Sequence, residues 1–97
     1  MYGTVARMRA KPGMEQQLIA VASETESVPV PGAVAVYVYQ MDADPREFML
    51  AVVFDSRETY IANAQSPDQH ERFLQLMTCL EAEPEWHDGH IVYAGPA

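Results

Sequence analysis

The sequence predicts an α+β fold in a single domain over residues 1–97, and three observations predict it. Two runs, Ala33–Tyr39 and Phe48–Phe54, have strand length and are rich in β-branched and aromatic residues. Two other stretches place apolar residues at helical spacing, and the Pro and Gly clusters between these pieces mark turns.

Taken in order, Tyr2–Ala10 reads as a first strand, broken by Lys11-Pro12-Gly13. Met14, Leu18, Val21 and Ala22 then recur at helical spacing. The stretch Val28-Pro29-Val30-Pro31-Gly32 cannot continue a helix, because each Pro lacks an N–H and restricts the residue before it. It reads as an extended connector into a second strand, about Ala33–Met41. Asp42-Ala43-Asp44-Pro45-Arg46 is a loop by composition, and Phe48–Phe54 is the third strand, so the pair forms a hairpin.

Asp55 or Ser56 caps a short helix holding Tyr60, Ile61 and Ala64, with Glu58 in its first turn. A longer helix starts at Ser66: its hydroxyl can accept from the Gln69 backbone, Gln69 can reach back, and Pro67 suits the first helical position. Phe73, Leu74, Met77 and Leu80 form its expected apolar stripe, and Pro84 is expected to end it. Trp86–Tyr93 is the closing strand.

Strand, helix, strand, strand, helical segment, strand is the order of a ferredoxin-like split β-α-β fold. Right-handed crossovers place both helical layers on one face of a four-stranded antiparallel sheet. Yet the second and third strands are apolar on both faces, and one helical layer covers only one of them. A second copy of the chain, packed sheet to sheet, is the expected cover.

The net charge of -8, from 14 acidic and 6 basic residues, repels phosphate backbones and anionic membranes, so neither nucleic acid nor membrane is an expected partner. No apolar run approaches the ~20 residues that span a bilayer. No basic segment followed by an apolar stretch opens the chain, which reads as cytoplasmic. Cys79 stands alone, so no disulfide or multi-cysteine metal site is expected. His87 and His90 lie three apart in a strand, which sends the two rings to opposite faces. No Gly-rich phosphate loop or Gly-flanked nucleophile appears, and Asp88-Gly89 reads as a turn or bulge.

Four segments together resemble the antibiotic biosynthesis monooxygenase (ABM) domain over essentially the whole chain. They are Tyr2–Arg9 with Lys11-Pro12-Gly13, Phe54–Tyr60, Ser66-Pro67-Asp68-Gln69-His70, and Pro84-Glu85-Trp86-His87-Asp88-Gly89. The resemblance implies a dimeric α+β barrel, in which two sheets face one another and each subunit keeps a pocket between its sheet and helices. It also implies cofactor-independent oxidation of a small aromatic or quinol-type substrate by molecular oxygen, the substrate's own anion supplying the electron. A non-catalytic homodimer that binds a small ligand is the alternative of the same fold.

Such a site needs a ring-sized apolar pocket, a group that takes the phenolic proton, and donors for the oxyanion. Asn63, Tyr60 and His70 are the candidate catalytic residues; Phe73, Met77, Trp86, Thr4 and Met8 are the candidate substrate contacts, with Ala6 beside them. Each has a structural reading too: Asn63 as a cap, His70 as a surface residue, Tyr60 as core, Trp86 as a strand anchor. Arg7 and Arg9 share one strand face, where they either bind an anion inside the dimer or pair with carboxylates. Members of the family's heme-degrading branch resemble one another in an Asn on the first strand, a Trp in the helical segment and a His on the long helix. Ala6, Asn63 and Phe73 stand at those positions here, and Phe cannot ligate iron.

Overall fold

The computed structural model describes residues 1–23 and 30–97, so Val28 and Pro29 of the expected connector lie outside the described residues. Its elements run β1 (Tyr2–Arg9), α1 (Glu15–Ser23), β2 (Ala33–Gln40), β3 (Glu47–Phe54), α2 (Arg57–Ala64), α3 (Pro67–Met77) and β4 (Glu85–His90). The four strands form one antiparallel sheet in the order β2-β3-β1-β4, and it is the ferredoxin-like arrangement that the element order predicts. No helix among the described residues is long and apolar enough to cross a membrane.

Alternation along β1 decides which face does what. Thr4, Ala6 and Met8 are buried under the helices, whereas Val5, Arg7 and Arg9 point outward. The strand pairing extends this pattern as rows across the helix-facing side: Val36, Val52, Thr4 and Asp88 in one, and Val38, Leu50, Ala6 and Trp86 in the next. A register shift between Ala33 and Ala35 in β2 sets this phase. On the outward face Val5, Tyr37 and Tyr39 are exposed beside half-buried Met49, Ala51 and Val53. Arg7 and Arg9 take the carboxylate fate there: Arg7 pairs with Glu47, and Arg9 with Asp44 at 2.5 Å and Glu81 at 2.8 Å. The Arg9 guanidinium holds the Asp44 carboxyl below its usual range.

The core is lopsided. Ala6, Met8, Ala10, Leu18, Phe48, Leu50, Cys79 and Leu80 cluster where β1 ends and α1 lies over the sheet. Neither α2 nor α3 has a fully buried residue, so the helical layer stands off the opposite end of the sheet.

Three local expectations are corrected. The long helix ends at Met77, not at Pro84, because Leu80 bridges Ala10 and the Lys11 N–H bonds the Cys79 carbonyl at 2.8 Å, drawing the chain back to β1. Its inward stripe is accordingly Phe73, Leu76 and Met77; Leu74 is exposed and Leu80 lies beyond the helix. The Ser66 hydroxyl does cap Gln69 N–H at 3.1 Å, but the Gln69 side chain does not reach back. Its oxygen accepts from Asn63 and Arg72 instead. The closing strand also stops at His90, leaving Val92 and Tyr93 exposed.

Candidate functional site

The gap beneath α2 and α3 is a cavity of about 1050 Å³, lined mainly by apolar side chains. Its floor is the two sheet rows described above, and its walls come from α1, α2 and α3. That volume lies at the upper end of what small-molecule pockets usually have, large enough for a fused-ring aromatic.

Polar groups gather where β1 meets β4. Thr4 is 4% exposed, and its hydroxyl has no hydrogen-bond partner among the described residues. Such a group is costly to bury and is rare in folded proteins. Asp88 lies directly across from Thr4 on β4, and the Tyr60 hydroxyl descends from α2 to donate to Asp88 Oδ1 at 2.9 Å. Ring contacts hold Tyr60 in place: Tyr2 meets it edge-on at 5.3 Å and Phe54 at 5.6 Å.

The Tyr60 phenol is pushed up to about 12, first by burial and then by the neighbouring Asp88 carboxylate, both of which disfavour a phenolate. The Thr4 hydroxyl is near enough to pull slightly the other way, without the geometry of a hydrogen bond. At neutral pH Tyr60 is a donor and takes up no proton.

A second polar group lies where α2 hands over to α3. The Asn63 carbonyl accepts from Ser66 N–H at 3.0 Å, closing the corner. Its side chain donates to Gln69 Oε1 at 3.3 Å, and Arg72 Nη1 donates to the same oxygen at 3.0 Å. His70 is exposed at the rim, and its side chain makes no hydrogen bond or ion pair among the described residues.

The structure brings Thr4, Met8, Tyr60, Asn63, His70, Phe73 and Trp86 to one cavity. Met77 does not line it: the side chain packs against the core cluster, because the helix has turned past the cavity by that point. Ala6, in the same row as Trp86, is fully buried, does not line the cavity and belongs to the core. Asp88, Arg72 and Gln69 are polar lining residues that the sequence did not mark as part of the site. Asp88 is a strand residue facing the cavity and not a turn, and the even spacing of Trp86, Asp88 and His90 is the signal that could have found it. Arg72 lies one residue before Phe73 with no local pattern to mark it. His87 and His90 do diverge: His87 approaches Glu85 at 3.2 Å, and His90 meets the Tyr2 ring at 4.9 Å. Among the described residues, no three His, Cys, Asp or Glu side chains gather as a metal site.

Comparison with known proteins agrees with this architecture. The family model for antibiotic biosynthesis monooxygenase matches residues 1–76. A Chloroflexus aurantiacus protein assigned to these monooxygenases is 29% identical, with a TM-score of 0.83 over 98% of this chain and 96% of its own. At lower identity the likeness is one of fold alone. A variant of SnoaB, a cofactor-independent oxygenase from Streptomyces nogalater, has a TM-score of 0.85 at 13% identity, covering 99% of this chain and 97% of its own. A Bordetella bronchiseptica protein assigned to the same monooxygenases has 0.82 at 19%, covering 95% and 97%. No curated protein matches the sequence. With the model spanning most of the chain, from β1 almost to the end of α3, the protein belongs to the antibiotic biosynthesis monooxygenase family.

Proposed function

We propose that this protein binds a small phenolic or quinol-type aromatic in the cavity and oxidises it with molecular oxygen, without a cofactor. The observation behind this reading is the buried, unpartnered Thr4 hydroxyl beside the Tyr60–Asp88 pair, at the polar end of a mainly apolar cavity. A ring laid on the Val52 and Leu50 rows would present its hydroxyl to these groups.

In that pose the Asp88 carboxylate accepts the phenolic proton and the Thr4 hydroxyl donates to the oxyanion that forms, while Tyr60 keeps its one proton on Asp88 and holds that carboxylate in place. The electron-rich ring anion reduces oxygen directly. For an anthrone-type substrate a ring CH₂ becomes C=O: one oxygen atom enters the product, and the other leaves as water with the two hydrogens of that carbon. Apolar walls limit water around the reactive anion.

We place the working form as a homodimer, because Val5, Tyr37 and Tyr39 leave an apolar outer sheet face uncovered in one chain. A second reading, a dimer that binds such ligands without turning them over, is favoured by one observation. Tyr60, held near 12, contributes no base at neutral pH, which leaves Asp88 to act alone.

Oxygen uptake with a panel of anthrones and quinols separates the two. Uptake above the buffer rate that falls about 100-fold or more in Asp88→Asn supports the oxygenase. Saturable binding with no uptake supports the binder.

A further inference from the structure

We propose that the cavity's second polar end is a carboxylate subsite built on Arg72, so that the ligand is an aromatic acid and not a neutral quinol. This rests on the reading of the cavity as a site for phenolic aromatics, and deepens it.

The chain has 6 basic residues against 14 acidic ones, and three of the other four arginines are matched to carboxylates: Arg7 to Glu47, Arg9 to Asp44 and Glu81, and Arg46 to Glu81, while Arg57 is exposed to solvent. Arg72 is half-buried in a cavity wall, and its hydrogen-bond partner is a neutral amide oxygen, Gln69 Oε1. No carboxylate among the described residues lies within ion-pair distance of it. Asp68 precedes it by one helical turn, the spacing that favours a surface ion pair, yet the guanidinium turns to Gln69 instead. A cation held there without a counter-charge among the described residues draws an anionic ligand group to this end of a mainly apolar cavity.

The position suits a second anchoring point. Arg72, Asn63 and Val30 also line a smaller cavity of about 210 Å³, which Asp68 lines as well, so Arg72 stands at the boundary of two open spaces. Asn63 follows Tyr60 by three residues on α2, a rise of roughly 4.5 Å along the helix axis between these two residues of the cavity wall. Gln69 binds one guanidinium nitrogen and leaves the fork of the others for a planar, bidentate carboxylate. The ligand's hydroxyl would then meet Thr4, Tyr60 and Asp88 while its carboxylate meets Arg72.

The test uses a matched pair of probes: a dihydroxynaphthalene and the same ring bearing a carboxylic acid. Binding is followed without oxygen through Trp86 fluorescence, since Trp86 is the single tryptophan and lines the cavity. The quantity read is the ratio of the two affinities. In the wild type the acid binds about tenfold more tightly or better, and added salt erodes the preference. Arg72→Gln brings the ratio to about one. Gln69→Glu does the same while keeping the arginine, because it supplies the missing counter-charge in place; this variant guards against loss of fold in the first. Equal affinities in the wild type, or a preference that survives in both variants, overturns the subsite while leaving the aromatic site standing. If neither probe binds, the aromatic site falls as well, and the subsite with it.

Discussion

Replacing Thr4 by Val exchanges a buried hydroxyl for a methyl group of nearly the same size on a strand that prefers β-branched residues in either case. The usual sign of a core substitution is reversed here. Thr4 Oγ1 gains no hydrogen bond from the protein, so its removal relieves a desolvation cost that mutational data place at about 1–3 kcal/mol. Its proximity to the Tyr60 phenol argues for the low end, about 1 kcal/mol. For 97 residues the unfolding entropy is about 0.2 kcal/mol/K, which converts that gain into a rise of about 5 °C in Tm. The same change removes one donor from the proposed oxyanion site, so affinity for the neutral dihydroxynaphthalene falls about tenfold. Thermal unfolding followed by circular dichroism at fixed protein concentration gives the first quantity, and tryptophan quenching gives the second. A stabler protein that binds more weakly is the expected outcome. A Thr4→Val protein that melts at or below the wild-type temperature would refute the reasoning, as would undiminished binding.

Other perturbations probe the same frame. In an absorbance titration one tyrosine ionises near 12, and that step is missing in Tyr60→Phe; its persistence would mean another residue is responsible. Because this folded-state value lies above the unfolded value of about 10, the Tyr60 contribution to stability is intact below pH ~10 and is lost as pH rises toward 12. Gly32 has φ of 81°, its carbonyl accepts from Asp55 N–H at 2.8 Å, and an added Cβ would press on the Thr59 side chain. Gly32→Ala is expected to cost about 1–2 kcal/mol in urea unfolding, and a neutral result would show that this corner yields. Light scattering at micromolar concentration is expected to give twice the mass of one chain for the wild type and a single chain for Tyr37→Lys, with its charge set into the outer sheet face. A wild-type monomer would sink the sheet-to-sheet dimer.

Helix caps and element order, which need only neighbours in sequence, agree with the structure, whereas local patterns fail wherever a residue distant in sequence comes close in space. Ser66 caps α3 and Ser56 caps α2, because each needs only a backbone N–H three residues on. Gln69 looked like the second half of a capping box by the same local rule, but Asn63 and Arg72 approach from the corner and take its side-chain oxygen. Leu80 continued the helical stripe on paper, and a bridge to Ala10, seventy positions earlier, removes it from the helix. Asp88 next to Gly89 fits a turn until β4 pairs with β1 and places it opposite Thr4.

By itself the sequence determined the order of strands and helices, their caps and breaks, and the surplus of apolar strand surface, since propensity, periodicity and Pro or Gly geometry act within a few residues. Tertiary structure alone decided which face of each strand looks at the helices. A one-residue change of register would send Thr4, Asp88 and Trp86 to the outer face, and nothing local opposes it. It also decided that α2 and α3 stand off the sheet, opening the space that Tyr60, Asp88 and Arg72 line. That separation follows from packing between residues far apart in the chain, with the core gathered under α1 at the other end of the sheet.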